Sequence, residues 1–347
     1  MALAASATVV VALVAGVLVI GGHAGVGPLS PSVTGPGLPT APPASPTAPP
    51  PVCPLTGLEP ERGTVPNRPA LAVKVENLPS TRPQTGLSFA DIVYEEPVEG
   101  GITRFIAIYQ CRDAERILPV RSARLTDPDI LVQFGRPVFG YAGAVREVID
   151  RSVAAGLRDV NIENPRAAQA YHRDPGRPAP HNLYTSTREL YAAAGHPKGA
   201  PRPVFRYSTG RPTGRPVREI HLPFSPSSDV YWRWDPSRGA FVRFHGEEPH
   251  TYSDGTQVAA ANVVVQVVQV TYTDVVDAAG ARSPRVVSTG EGRAYVLRGG
   301  RVVVGTWRRP SLDDVTRFYD RRGREVRLLP GVTWVELFPS GLPVELG

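Results

Sequence analysis

Apolar positions along this chain change their spacing from one stretch to the next. Between Ala90 and Arg124, in ADIVYEEPVEGGITRFIAIYQCRDAERILPVRSAR, they run without alternation. Ile92, Val93 and Tyr94 form one such run, and Phe105 to Tyr109 form the next. Gly100-Gly101 between them supplies a turn that tolerates left-handed backbone. Strands apolar on both faces are buried on both faces, so this hairpin is predicted at the centre of a sheet. Ala70–Val75 predicts a strand before it.

Helical spacing follows the hairpin. Thr126-Asp127-Pro128 is a helix start, with proline in the first turn. Val145, Val148, Ile149 and Val153 recur at helical intervals over Ala144–Ala155, and Gly156 closes the segment. Thr185 or Ser186 caps a last helix through Leu190 to Ala194. Short strands are predicted at Pro137–Ala142 and Asp159–Ile162. Strands mixed with helices give residues 55–205 an α+β or α/β layer architecture.

Around residues 206–216 the chain is dense in Pro, Gly and Arg, which predicts a linker. Beyond it, over 217–347, the pattern is almost entirely strand. The segments are Val217–Leu222, Val230–Trp234, Ala240–Phe244, Val263–Tyr272, Arg285–Val287, Arg293–Leu297, Val302–Trp307 and Val332–Phe338. Glycine turns separate them, which predicts a small barrel or sandwich. The expected whole is therefore an α+β protein, a mixed N-terminal domain followed by a mostly-β one.

The N-terminus follows a third pattern. Residues 2–22 carry no charge, and Val9 to Ile20 is almost entirely Val, Ala, Leu and Ile. Residues 1–27 thus read as a signal peptide or membrane anchor, and the protein as extracytoplasmic, either membrane-anchored or secreted. Residues 28–54, rich in Pro, Ala, Ser and Thr, read as a disordered spacer, because they lack the apolar area to offset chain entropy.

Composition alters this picture at two points. The formal net charge is +6, yet Lys occurs only at positions 74 and 198. Arginine in place of lysine, with abundant proline, is the mark of a GC-rich coding sequence, and export removes the usual nucleic-acid partner. No nucleic-acid partner is expected. Cys53 and Cys111 are the only cysteines. In an exported chain they are disulfide candidates, two buried thiols being the other possibility. No metal or cofactor is expected, since there is no histidine pair at ligand spacing, no phosphate-binding Gly-Lys-Ser/Thr loop and no His-Glu-x-x-His helix.

Candidate chemistry sits at strand ends and in polar loops. Arg104, Arg121, Ser122, Arg124 and Arg173 form an arginine-rich set suited to phosphate or carboxylate, because guanidinium donates in pairs. Glu95, Glu99, Asp127 and Asp174 are placed to pair with the same arginines, so an internal salt-bridge network is the competing reading. His181-Asn182 follows Pro180, and histidine suits proton transfer. Ser122, His181 and a carboxylate are the residue types of a nucleophilic triad, without a Gly-x-Ser-x-Gly elbow. Glu95 and Glu99 are the residue types of a glycosidase pair. Trp232, Trp234, Trp307 and Trp334 are read as core rather than sugar-stacking residues. Arg104, Arg121, Arg124, Arg173 and His181 are expected to converge on one cleft, with Glu95 and Glu99 on its rim.

Several successive segments carry a family resemblance: NRPALAVKVEN, RPQTGLSFADIVYEEPVEGGITRF, LPVRSAR, RDPGRPAPHNLYTS, and later GEGRAYVLRGGRVVVGTWRR and LPGVTWVELFP. In these the chain resembles the YerB-like lipoproteins, bacterial envelope proteins whose N- and C-terminal domains are of unknown function. The resemblance spans roughly residues 53–347 and implies a two-domain extracytoplasmic protein. It implies no reaction, cofactor or catalytic residue. The chain departs from the family in lacking the lipid-bearing cysteine. It also has Tyr141-Ala142-Gly143-Ala144-Val145 in place of a His-Ala-Gly-Gly-Ser-like strand end. The function expected is binding of an anionic or glycan wall component. An envelope enzyme acting on glycans or phosphorylated lipid carriers, or a structural interaction module, are the alternatives.

Overall fold

The computed structural model describes residues 50–276 and 280–347. The leader at 1–27 and most of the spacer lie outside the described residues. Within them, no helix is long and apolar enough to cross a membrane.

In chain order the longer elements are β1 (Leu71–Glu76), β2 (Ile92–Pro97), β3 (Thr103–Tyr109), α1 (Thr126–Leu131), β4 (Val138–Gly140), α2 (Arg146–Ala154) and α3 (Thr187–Ala193). There follow β5 (Glu219–Ser225), β6 (Ser228–Asp235), β7 (Ala240–His245), β8 (Asn262–Val268), β9 (Val270–Val276) and β10 (Arg282–Val286). The last are β11 (Gly290–Arg298), β12 (Arg301–Arg309), β13 (Arg317–Asp320) and β14 (Thr333–Pro339). The fold is α+β, as the sequence predicts. Ser186 caps α3 by accepting from the Glu189 N–H at 3.2 Å.

One eleven-stranded sheet runs through both halves, in the order β13-β12-β11-β8-β14-β2-β3-β1-β4 and then the short strand Arg158–Asp159, with Arg215–Pro216 paired to β12 off this path. The hairpin β2–β3 lies inside it and turns at Gly100 and Gly101, both left-handed at φ 73° and 70°. β14 fits between β2 and β8 and runs parallel to both. The second-half strands therefore do not close into a barrel. Some extend the first sheet, while β5, β6 and β7 build a second one.

Strand alternation sorts side chains onto two cores. Val73, Val93, Phe105 and Trp334 project from one face of the large sheet and meet Trp232 and Phe241 of the second sheet. The rings of Trp232 and Trp334 pack edge to face at 5.3 Å. Ile92, Tyr94, Ile106 and Phe139 project from the other face onto Leu131 and Val148 of α1 and α2. With both faces covered, all six residues of β1 and all seven of β3 are buried. Cys53 and Cys111 form a disulfide, their Cα atoms 5.9 Å apart.

Candidate functional site

Period-two alternation carries Glu95 and Glu96 to opposite faces of β2. Glu96 faces the helices, where buried Lys74 donates to Glu96 Oε1 and, at 2.7 Å, to Asp127 Oδ1. Burial, and then the neighbouring Asp127, push the Glu96 carboxyl up to about 7 against the pull of Lys74. Asp127 Oδ2 accepts from the Arg124 N–H at 2.6 Å. The buried cluster thus anchors the loop that carries the arginines.

That loop, Val120–Arg124, lies extended along the end of the sheet. Arg121 N–H donates to Lys74 O at 2.9 Å, Ala142 N–H to Arg121 O at 3.0 Å, and Ala123 N–H to Gly143 O at 3.0 Å. Between this loop, Glu99 and the start of α2 lies a cleft of about 470 Å³ lined by Arg104, Arg121, Ser122 and Arg124. Glu163, exposed at its rim, and Ser283 of β10 complete the polar lining.

Two of the arginines are paired. Arg124 Nε donates to Glu99 Oε2 at 2.6 Å, and Ser283 donates to Glu99 Oε1. Burial pushes the Glu99 carboxyl up, but Arg124 and Ser283 outweigh it and hold it below the usual range. Arg121 Nε donates to Glu76 Oε1 at 2.8 Å, and His181 Nδ1 lies 2.8 Å from Glu76 Oε2. Arg104 differs. It is buried, makes no ion pair among the described residues, and donates from Nη1 to Ser122 O at 3.0 Å. Its Nε has no hydrogen-bond partner. Burial, followed by repulsion from Arg124, lowers its pKa to about 10.

The structure therefore brings Arg104, Arg121, Ser122, Arg124 and Glu99 onto one cleft. His181 reaches its edge through Glu76. Arg173 does not converge there. It is exposed and donates to Asn182 Oδ1 at 2.8 Å, tying its own loop. Ser122 Oγ donates to Ala142 O at 2.9 Å, a bond that turns it away from a triad with His181. Glu95 is not on the rim. It lies between the two sheets, where Arg243 donates to its Oε2 and Thr103 to its Oε1 at 2.5 Å. Glu95 and Glu99 consequently do not face one another as a glycosidase pair.

Around Glu95 the hydrogen bonds close into a ring. Arg243 Nη1 donates to His250 Nδ1 at 2.7 Å, and His250 Nε2 to Gln84 Oε1 at 2.9 Å. Gln84 then donates to Asn77 Oδ1 at 3.2 Å, and Asn77 to Glu95 Oε1 at 3.2 Å. Because arginine only donates, Nδ1 of His250 accepts and its proton sits on Nε2. Burial and then Arg243 hold His245 and His250 far below the usual imidazole range, so both are neutral. Glu336 stands beside Glu95 in parallel register and accepts from Trp232 Nε1 at 2.8 Å. Burial, and then the Glu95 charge, raise its carboxyl well above the usual range.

Glu76, Lys74, Glu96 and Arg243 are absent from the candidates named from the sequence. Lys74 carried a signal: a lone lysine in the apolar run Ala70-Leu-Ala-Val-Lys-Val75 has to be paired once buried. Arg243 carried none, since its partner lies 148 residues away. Three of the candidate tryptophans, Trp232, Trp307 and Trp334, are core residues, and Trp234 is half-buried.

Residues 55–199 match the family model described as the N-terminal domain of a protein of unknown function, DUF3048. Residues 220–335 match the model of its C-terminal domain. The chain is similar to the protein named "Putative lipoprotein YerB" of Bacillus subtilis (strain 168), 29% identical over 298 residues, 83% of this chain and 86% of that one. It is also similar to the crystal structure of YerB from Bacillus subtilis, with a TM-score of 0.74 and 25% identity. That match covers 85% of this chain and 99% of the solved one.

Proposed function

The chain belongs to the two-domain DUF3048 family, to which YerB is related, and on that premise we propose an extracytoplasmic envelope protein that binds an anionic or glycan wall component in the arginine-lined cleft. The lipoprotein name of the relative and the charge-free leader support the envelope location. The observation that carries the binding role is Arg104. A buried guanidinium without an ion pair costs free energy unless something else meets it, and this one borders an open cleft. Thermal-shift titration with wall-polymer fragments and phosphorylated sugars, on wild type and Arg121→Ala, tests the role. Stabilisation of wild type alone is expected. A ligand that stabilises both equally would place binding elsewhere.

A second reading, an envelope enzyme, is favoured by the contact between His181 Nδ1 and Glu76 Oε2. A carboxylate on one ring nitrogen orients the imidazole and leaves the other for proton transfer. Turnover of a bound ligand, lost in His181→Ala with binding retained, distinguishes this reading.

A further inference from the structure

The wall of the cleft opposite Arg121 is the beginning of α2. Gly143 is left-handed at φ 85°, and a Cβ there would lie 3.3 Å from Ser122 Oγ. This tight turn lets the helix start directly over the arginine loop. No side chain caps it. The N-cap is Val145, extended at φ −71° and ψ 152°, and Val145 itself lines the cleft. In the first turn the Val148 N–H donates to Val145 O at 3.0 Å, while the N–H groups of Arg146 and Glu147 have no acceptor within the helix and carry the positive end of its dipole.

A second, independent feature faces the same space. Arg104 is 6% exposed, lines the cleft and has no carboxylate partner among the described residues, its one hydrogen bond going from Nη1 to Ser122 O. Donors thus approach from two separate elements, a strand below and a helix end at the side, while Arg121 and Arg124 flank them. The carboxylates at the site do not fill this role. Glu99 is held by Arg124 and Ser283, Glu76 by Arg121 and His181, and both Glu163 and Glu147, the latter in the first turn of α2, are exposed.

We propose that the cleft is a phosphoryl-group site, in which Arg104 and the uncapped N-terminus of α2 share the oxygens of a phosphate ester between Arg121 and Arg124. The proposal rests on the binding role above and names its ligand class. A planar carboxylate satisfies one guanidinium fork and leaves the helix donors unmet. A tetrahedral phosphate presents oxygens to donors arriving from several directions. The same chemistry comes from a free phosphate, a phosphorylated sugar or a phosphorylated lipid headgroup.

Calorimetric titration of the full chain with inorganic phosphate, glucose 1-phosphate and vesicles containing phosphatidic acid, beside neutral vesicles and an oligouronate, separates these sources. Binding of at least one phosphate-bearing probe is expected, weakened about tenfold or more in Arg104→Gln, the loss of a charge-assisted hydrogen bond. Arg146→Pro and Arg146→Ala form the decisive pair. Proline is tolerated at the first helical position, and Val145 already has the backbone such a neighbour requires, so only the N–H is lost. Arg146→Pro is expected to weaken phosphate binding severalfold, and Arg146→Ala to leave it nearly unchanged. Should Arg104→Gln not fold, this pair decides alone. Equal affinities for the two Arg146 variants would overturn the proposal. Binding of the oligouronate but of no phosphate probe, dependent on Arg121, would remove the phosphate assignment and leave the binding role standing. Binding of no probe at all would count against both.

Discussion

Glu95 and Glu96 are adjacent on β2, yet their carboxylates are buried on opposite faces of the sheet, one accepting from Arg243 and the other from Lys74. Each face therefore holds its own buried ionic group, and the two groups respond differently to change.

On the helix side, the relevant variable is pH. The Glu96 carboxyl is raised to about 7 in the fold by burial and Asp127, above the ordinary glutamate value. A raised acid contributes stability that is fully present below its unfolded value and is lost as pH rises through the folded one. Urea midpoints of wild type should therefore fall between pH 5 and pH 8 relative to Glu96→Gln, whose side chain does not titrate. Parallel curves for the two proteins across this range would refute the assignment.

On the sheet side, the relevant variable is the partner. Arg243→Leu leaves Glu95 buried beside Glu336 without its ion-pair partner. Stability should fall by about 3–5 kcal/mol, the cost of an uncompensated buried charge, as read from denaturant unfolding. A change below about 1 kcal/mol would mean that the ring is dispensable.

The cleft arginine should behave in the opposite way. Arg121 is partly exposed, and Glu76 keeps His181 when it is removed. Arg121→Ala is expected to cost less than the about 3–5 kcal/mol of an unpaired buried charge, because His181 still meets the buried Glu76, while abolishing ligand binding. A large loss of stability would instead mark Arg121 as a structural residue.

Thiol titration of the unfolded, unreduced protein should find no free thiol, because Cys53 and Cys111 are bonded to each other. Their sequence separation of 58 gives about 4 kcal/mol in the chain-entropy account. The double Cys→Ser variant should lose stability on that scale.

Local features of the fold were legible in the sequence, and distant pairings were not. The hairpin around Gly100-Gly101, the helix start at Thr126-Asp127-Pro128, the Ser186 cap and the strands of the second half all follow from spacing and turn residues within a few positions. β14 joins β2 some 240 residues away in the chain, and its parallel register leaves no local mark. The site divides along the same line. Arg104, Arg121, Ser122 and Arg124 were found because strand ends collect polar side chains. Arg173 was misplaced because a nearby Asn182 satisfies it within its own loop. Alternation along β2 separates Glu95 from Glu96, a rule the sequence does contain, whereas Glu99 lies past the end of the strand in the turn at Gly100, where alternation no longer places side chains.

The parallel insertion of β14 between β2 and β8 also fixes an order of events during synthesis. Until residues 333–339 emerge, β2 and β8 each present an open edge, with unpaired amides and carbonyls free to capture another strand. The hairpin can close early, but the gap beside it waits for almost the whole chain, and such long-range closure is slow. A nascent molecule therefore spends the interval vulnerable to edge-to-edge association, and truncation anywhere before residue 333 would make that interval permanent.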